Sequence, residues 1–313
     1  MSALSGFLRP STRAFAAEAK RVPGYSRFDL FHGYFYSRFV FFYIAVATGE
    51  HWLARLVSPL ASKIIGRHGS DHVSSATTGG QAFADTYHGK VVPLEEATRL
   101  VTVNRDIDLG DLEHVIPYAK ARELVLKHPD HIALLQCPCR TARKNPCLPL
   151  DVCLIVGEPF ASFMLEHHPN RTRRITPAEA IEVLRAEDER GHVHHAFFKD
   201  AMLGRFYAIC NCCACCCGAM QAHRNGTPML ASSGYVSRVD EDRCIGCGDC
   251  TDFCQFHALS VVDGRNHIDA QACMGCGVCV SHCKHEALSL VREESRGIPL
   301  EINTLMSSSL GVR

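Results

Sequence analysis

Residues 244–254 read CIGCGDCTDFC and residues 273–283 read CMGCGVCVSHC. Both are C-x2-C-x2-C-x3-C, and each position of the second lies 29 residues after its counterpart. A repeat in such register marks a duplicated structural unit. Three thiolates on one tight loop can hold three corners of a [4Fe–4S] cube, and the fourth corner needs a cysteine from elsewhere. Gly246, Gly248, Gly275 and Gly277 let the backbone curl close to a cluster and aim amides at its sulfides. Zinc is the other chemistry of C-x2-C pairs, but the triple spacing, repeated, favours iron–sulfur.

The flanks follow the same pattern, with Val239-Asp240 before the first motif, FHALSVVDGRNHIDAQA between the two and KHEALSLV after. On these residues the stretch 236–292 resembles the bacterial-type dicluster ferredoxin domain. The resemblance implies paired short hairpins, two short helices and two [4Fe–4S] clusters within electron-transfer range. It also implies two ligand sets: Cys244, Cys247, Cys250 and Cys283 for one cluster, and Cys273, Cys276, Cys279 and Cys254 for the other. That family usually carries proline after each fourth cysteine, whereas this chain has Gln255 and Lys284. Proline is not a ligand, so the departure bears on loop stiffness and reduction potential, a cation near a cluster favouring its reduced form.

Upstream, ICNCCACCCG (209–218) puts Cys210, Cys212, Cys213, Cys215, Cys216 and Cys217 into eight positions. Cys137, Cys139, Cys147 and Cys153 lie in QCPCRTARKNPCLPLDVC (136–153). Packing alone gives no reason for such crowding, so all ten are candidate metal ligands. One cubane cluster would use four of them and two would use eight. We therefore expect one or two further iron–sulfur clusters here; a zinc knuckle from the first four cysteines is the alternative.

The combined pattern is similar to little-characterised iron–sulfur proteins, mostly of anaerobic bacteria. They share a C-x-C-R segment, an E-A-x-x-x-L helix ending in a G-x-V-H-like turn, a CNCC-x-CCC motif and a C-terminal dicluster domain. The similarity spans about 131–292. It implies that the two middle groups form one module, and it implies no reaction. Arg140 could donate to a cluster or neutralise one, or serve in an ordinary ion pair. In Gly191-His-Val-His-His195, His194 is the candidate metal ligand or proton carrier, against simple coincidence.

All eighteen cysteines fall between Cys137 and Cys283. A disulfide scaffold is short and evenly studded, and adjacent cysteines such as Cys215-Cys216-Cys217 suit disulfide geometry poorly. Residues 1–20 lack an apolar h-region and a small-residue cleavage site, so a reducing, cytoplasmic setting is expected. Arg9, Arg13 and Lys20, with Glu18 the sole acid, fit an amphipathic helix better than a transit peptide. Lysine plus arginine equal aspartate plus glutamate at 33 each, which argues against a nucleic-acid partner. There is no G-x-G-x-x-G, G-x4-G-K-[ST], G-x-S-x-G or H-E-x-x-H, so dinucleotide, nucleoside triphosphate and hydrolase sites lack support. No catalytic residue is assigned.

The fold class expected is α+β. Residues 1–130 form a cysteine-free, mostly helical region, 131–230 a cysteine-rich α/β module, 235–292 a dicluster ferredoxin-like domain and 293–313 a tail. Helices are expected in LEEATRLVTV after Pro93, in DLEHVIPYAKARELVLK (111–127), and from the capping box Thr176-Pro177-Ala178-Glu179 to Gly191. HPDHIALLQ (128–136) reads as a turn feeding a buried strand. Leu30–Thr48, LFHGYFYSRFVFFYIAVAT, has near-membrane length, but Arg38 at its middle would cost about 2.5–3.5 kcal/mol in a bilayer. It is expected to be a core helix, or one lying on a membrane surface or a partner subunit. The leading expectation is an electron relay between the ferredoxin-type domain and a partner redox enzyme or membrane complex. The alternative is a reductase acting on a disulfide or other small substrate at the middle cysteines.

Overall fold

The apolar runs beside the middle cysteines become the central strands of one sheet. The computed structural model describes residues 8–54, 77–110, 112–120 and 123–310. In it β4 (Asp151–Glu158), β6 (Val193–Lys199) and β7 (Arg205–Cys212) are buried along nearly their whole length. Strands covered on both faces read this way, as near-continuous hydrophobic runs. Among the described residues eight strands join, in the order β2-β3-β4-β7-β6-β1-β8, with β5 beside β3. Here β1 is Tyr87–Val91, β2 Ile107–Leu109, β3 Leu124–Gln136, β5 Thr172–Ile175 and β8 Leu230–Ala231. Neighbours run antiparallel except β1 and β8.

The division expected near residue 130 falls inside β3, and β1 and β2 come from the cysteine-free region. The helical reading of 111–127 is corrected. A 3-10 turn forms at Leu112–His114 and the chain is already in β3 at Leu124. Pro117 removes a backbone donor, and Val115, Ile116 and Tyr118 bury against the core as a plug rather than as a helix stripe. β3 does include HPDHIALLQ, with a register shift between Lys127 and Ile132 where that turn was expected.

Helices cover the sheet: α1 (Pro10–Ala19), α2 (Arg27–Arg38), α3 (Val40–Ala47), α4 (Thr77–Thr86), α5 (Leu94–Val101), α6 (Pro138–Ala142), α7 (Phe160–His167), α8 (Pro177–Glu189) and α9 (Gly218–Arg224). α8 starts as its sequence demands. The Thr176 hydroxyl accepts from the Glu179 N–H at 3.2 Å, and the Glu179 carboxylate accepts from the Thr176 N–H at 2.9 Å. It stops at Gly191, whose φ of +79° is left-handed and where a Cβ would stand 2.8 Å from the Phe253 ring.

Leu30–Thr48 is two helices rather than one, broken at Phe39 between α2 and α3. Tyr36, Val40 and Ile44 face the core, while Phe28, Phe31, Phe39 and Phe42 are exposed. Among the described residues no helix is long and apolar enough to cross a membrane.

Lys90 on β1 is buried and donates to the Ile298 carbonyl at 2.8 Å. Burial, with Arg292 nearby, pushes its ammonium down to about 7. Below that pH both folded and unfolded states carry the charge, so the full cost of burying it applies. The cost fades as pH rises towards the unfolded value of about 10.4. Chemical denaturation should therefore show stability gained between pH 7 and 10, and Lys90→Met should flatten that rise.

Candidate iron–sulfur centres

The C-terminal segment is two small hairpin-like units. β9 (Tyr235–Val239) pairs with β12 (Leu288–Arg292), and β10 (Leu259–Val262) with β11 (Arg265–Ile268). Short helices α10 (Asp249–Phe253) and α11 (Val278–Ser281) follow the two cysteine loops. The motif glycines take φ of +67°, +86°, +64° and +87°, and a Cβ at Gly275 would meet the Tyr235 carbonyl at 2.2 Å. The loops can close only with glycine there.

These loops enclose two cavities of about 20 Å³ each. The first is lined by Cys244, Cys247, Cys250 and Cys283, the second by Cys254, Cys273, Cys276 and Cys279. Each lining set thus takes its fourth thiol from the other repeat. Donors already point at sulfur. The Ser237 N–H meets Cys273 at 3.4 Å, Ala258 N–H meets Cys254 at 3.2 Å, Ala287 N–H meets Cys283 at 3.3 Å and the Asn266 amide meets Cys250 at 2.9 Å. Such donors suit an anionic cluster. Lys284 is exposed and pairs with Asp249 at 3.0 Å.

The ten middle cysteines separate into two groups. Cys147, Cys213, Cys215 and Cys216 gather their thiols within 4.8 Å of one another. The other six, joined by Cys213 and Cys216, line a cavity of about 130 Å³ in the sheet domain. Their placement follows from strand register. Cys153 on β4 sits opposite Cys210 on β7, and Cys212 lies two residues on, on the same face. Cys137 caps α6, Cys139 lies in its first turn, and Cys217 caps α9. Thiol contacts link Cys210 to Cys153, Cys153 to Cys137, Cys137 to Cys139, Cys139 to Cys217 and Cys217 to Cys212. The Cys139 thiol and burial push Cys137 up to about 12. Burial favours the neutral thiols here, and six sulfur donors around one cavity are of the type that an iron–sulfur cluster takes.

Arg140 is buried, and its charge is already matched. Its guanidinium donates to the Glu187 carboxylate at 2.7 Å and to the Asn211 and Pro149 carbonyls, and His192 Nδ1–H donates to the same carboxylate at 2.7 Å. Burial would raise the Glu187 carboxyl, but the His192 and Arg140 bonds hold it below its ordinary range. His194 turns away from the thiols, bonding the Asn211 side chain at 2.6 Å and standing 3.8 Å from Asp188. Its neighbour His195 is the one across from Cys210 on the thiol face. Apart from a weak contact with the Val193 carbonyl, neither ring nitrogen of His195 has a partner, and burial pushes it down to about 3.

Sequence reasoning missed a second wall of this cavity. Tyr36, Tyr87 and Tyr207 line it together with the cysteines. The Tyr36 and Tyr207 hydroxyls share a 2.9 Å hydrogen bond, and burial raises all three phenols. The Lys199 ammonium lies 4.9 and 4.4 Å from the Tyr36 and Tyr87 ring centres, and burial pushes it down to about 8. The tyrosines come from α2, β1 and β7, so no local motif could have announced them. Strand alternation alone could have favoured His195 over His194 once Cys210 was paired opposite.

The fold and thiol geometry define a cysteine-rich α+β protein carrying a ferredoxin-like iron–sulfur domain at its C-terminal end. The family model of the 4Fe-4S dicluster domain matches residues 237–284. No curated protein and no solved structure matches the chain.

Removing one partner of a buried ion pair leaves the other charge unpaired, at about 3–5 kcal/mol. Arg140 and Glu187 are each 1% exposed. Glu187→Gln should therefore lower the unfolding free energy by an amount of that order, read by denaturant titration. Arg190→Gln, removing a half-exposed guanidinium from the same carboxylate, should cost under about 1 kcal/mol.

Proposed function

We propose that this chain is an iron–sulfur electron-transfer protein whose dicluster domain is coupled to a third cluster site at the cysteine-ringed cavity. The observation that carries the reading is Gln255. It directly follows Cys254, its side-chain oxygen accepts from the Ala214 N–H at 2.8 Å, and its amide donates to the Gly191 carbonyl at 2.9 Å. Ala214 stands between Cys213 and Cys215. A proline at 255 could make neither bond, so the departure from the usual pattern joins the two thiol regions. Phe253 and Phe256 pack into the main core beside it. When bound, [4Fe–4S] clusters supply reversible one-electron exchange. The exposed Cys247 and Ile245 beside the first small cavity offer the surface on which a redox partner protein docks. The exposed rings of α2 and α3 are a second contact, for a membrane surface or a partner complex.

The tyrosine wall favours a second reading, reduction of a small substrate at the middle cavity. That cavity exceeds either dicluster cavity several-fold, and three phenols line it together with the thiols, with the Lys199 ammonium packed on the Tyr36 and Tyr87 rings. These groups are the acid/base constellation that a reductase needs and a pure relay does not.

Iron and acid-labile sulfide on anaerobically purified protein test the cluster count. Roughly 12 of each per chain are expected for three cubane-type clusters; about 8 would confine clusters to the dicluster domain and sink the coupling. In freeze-quench EPR, Gln255→Leu should leave the dicluster signals intact and slow reduction of the middle species. An unchanged rate would remove the coupling role. Tyr207→Phe should leave electron exchange intact and abolish turnover only under the reductase reading.

A further inference from the structure

Cys147, Cys213, Cys215 and Cys216 are packed unlike any other thiols in the chain. Cys147 and Cys215 stand 3.2 Å apart and Cys215 and Cys216 3.7 Å, with all four sulfurs within 4.8 Å of one another. Four thiolates on one tetrahedral ion at about 2.3 Å lie about 3.8 Å from each other. Thiolates on the corners of a [4Fe–4S] cube lie roughly 6 Å apart. The chain contains its own contrast. Among the described residues no three dicluster thiols, and no three of the six around the large cavity, come as close as 4.8 Å.

The surroundings suit a small anionic centre. The Cys147 N–H points at the Cys216 sulfur at 3.5 Å, and the Cys216 N–H at Cys213. Arg143 braces the loop, donating to the Cys216 carbonyl at 3.1 and 3.3 Å and to Gln221 at 2.5 Å. Four thiolates on a divalent ion carry two net negative charges, and the Arg143 guanidinium, paired with Glu50, lies against the Cys216 carbonyl.

We propose that these four cysteines bind a single tetrahedral d-block ion, zinc or iron, separate from any cluster. The ion clips the segment around Cys147 to the 213–217 loop, which carries Cys217 to its place in the cavity ring. The ten middle cysteines then serve two chemistries, four for the lone ion and six for the cavity. The proposal does not rest on the electron-transfer reading, since a lone ion at this clip needs no electron path.

The test compares metal and sulfide content in full-length wild type, Cys215→Ser and Cys153→Ser, purified anaerobically. Cys215 is exposed, so its substitution should leave the fold and the dicluster EPR signals unchanged. The expected result is loss of one equivalent of zinc, or of one iron with a high-spin ferric signal and no accompanying sulfide. Loss of iron and sulfide together in cluster stoichiometry overturns the proposal, as does unchanged metal content. Cys153→Ser should instead lower iron and sulfide together and spare the lone ion. Its failure would count against the third cluster and not against this site. Should Cys215→Ser lose its dicluster signals, wild type produced with cobalt decides. Tetrahedral cobalt–thiolate charge-transfer bands support the site, and their absence removes it.

Discussion

The register of β4, β7 and β6 is the constraint on which the rest of this molecule depends. It sets Cys153 opposite Cys210, and Cys210 opposite His195. A slip of one residue would send every one of these side chains to the other face of the sheet. The fully buried strands hold the register through their packing. Ile155, Ala208 and Phe197 occupy the same face as the thiols, and Leu154 and Ile209 the opposite one. The two helix caps at Cys137 and Cys217 then close the ring from outside the sheet.

Charge near this site is organised in layers. Arg140 touches the cavity, but its charge is matched by Glu187, to which His192 also donates. Two buried charges brought together in this way act more as a fixed geometric brace than as a source of stability. The tyrosines line the same cavity and Lys199 packs on two of their rings, and burial raises the phenols and lowers the ammonium. The cavity therefore brings thiols and phenols together in one lining.

The dicluster domain is not appended through a loose linker. Gln255, Phe253 and Phe256 seat it against Gly191 and the 213–217 loop, and the Ser233 hydroxyl donates to the Gly275 carbonyl at 2.7 Å. Gly191 allows this approach twice over, by ending α8 in a left-handed turn and by leaving room for the Phe253 ring. One residue thus links helix termination to the seating of the dicluster domain.

The cysteine repeat, its glycines and the capping box of α8 were legible in the chain because their chemistry is local. Spacing along a loop decides which thiols can reach a cluster, and a cap needs only its own first turn. The grouping of the four dicluster thiols in each cavity came from the family resemblance, since each fourth thiol lies in the other repeat. The middle site was not. Its cysteines lie on β4, β7 and two helix caps, so only sheet pairing could sort ten thiols into four and six. The helical period in 111–127 misled because burial of Val115, Ile116 and Tyr118 outweighed helix propensity beside Pro117. The sequence by itself determined that this protein holds thiols for iron and sulfide. Tertiary structure decided which thiols meet, which histidine faces them and what stands opposite, because those contacts join residues far apart along the chain.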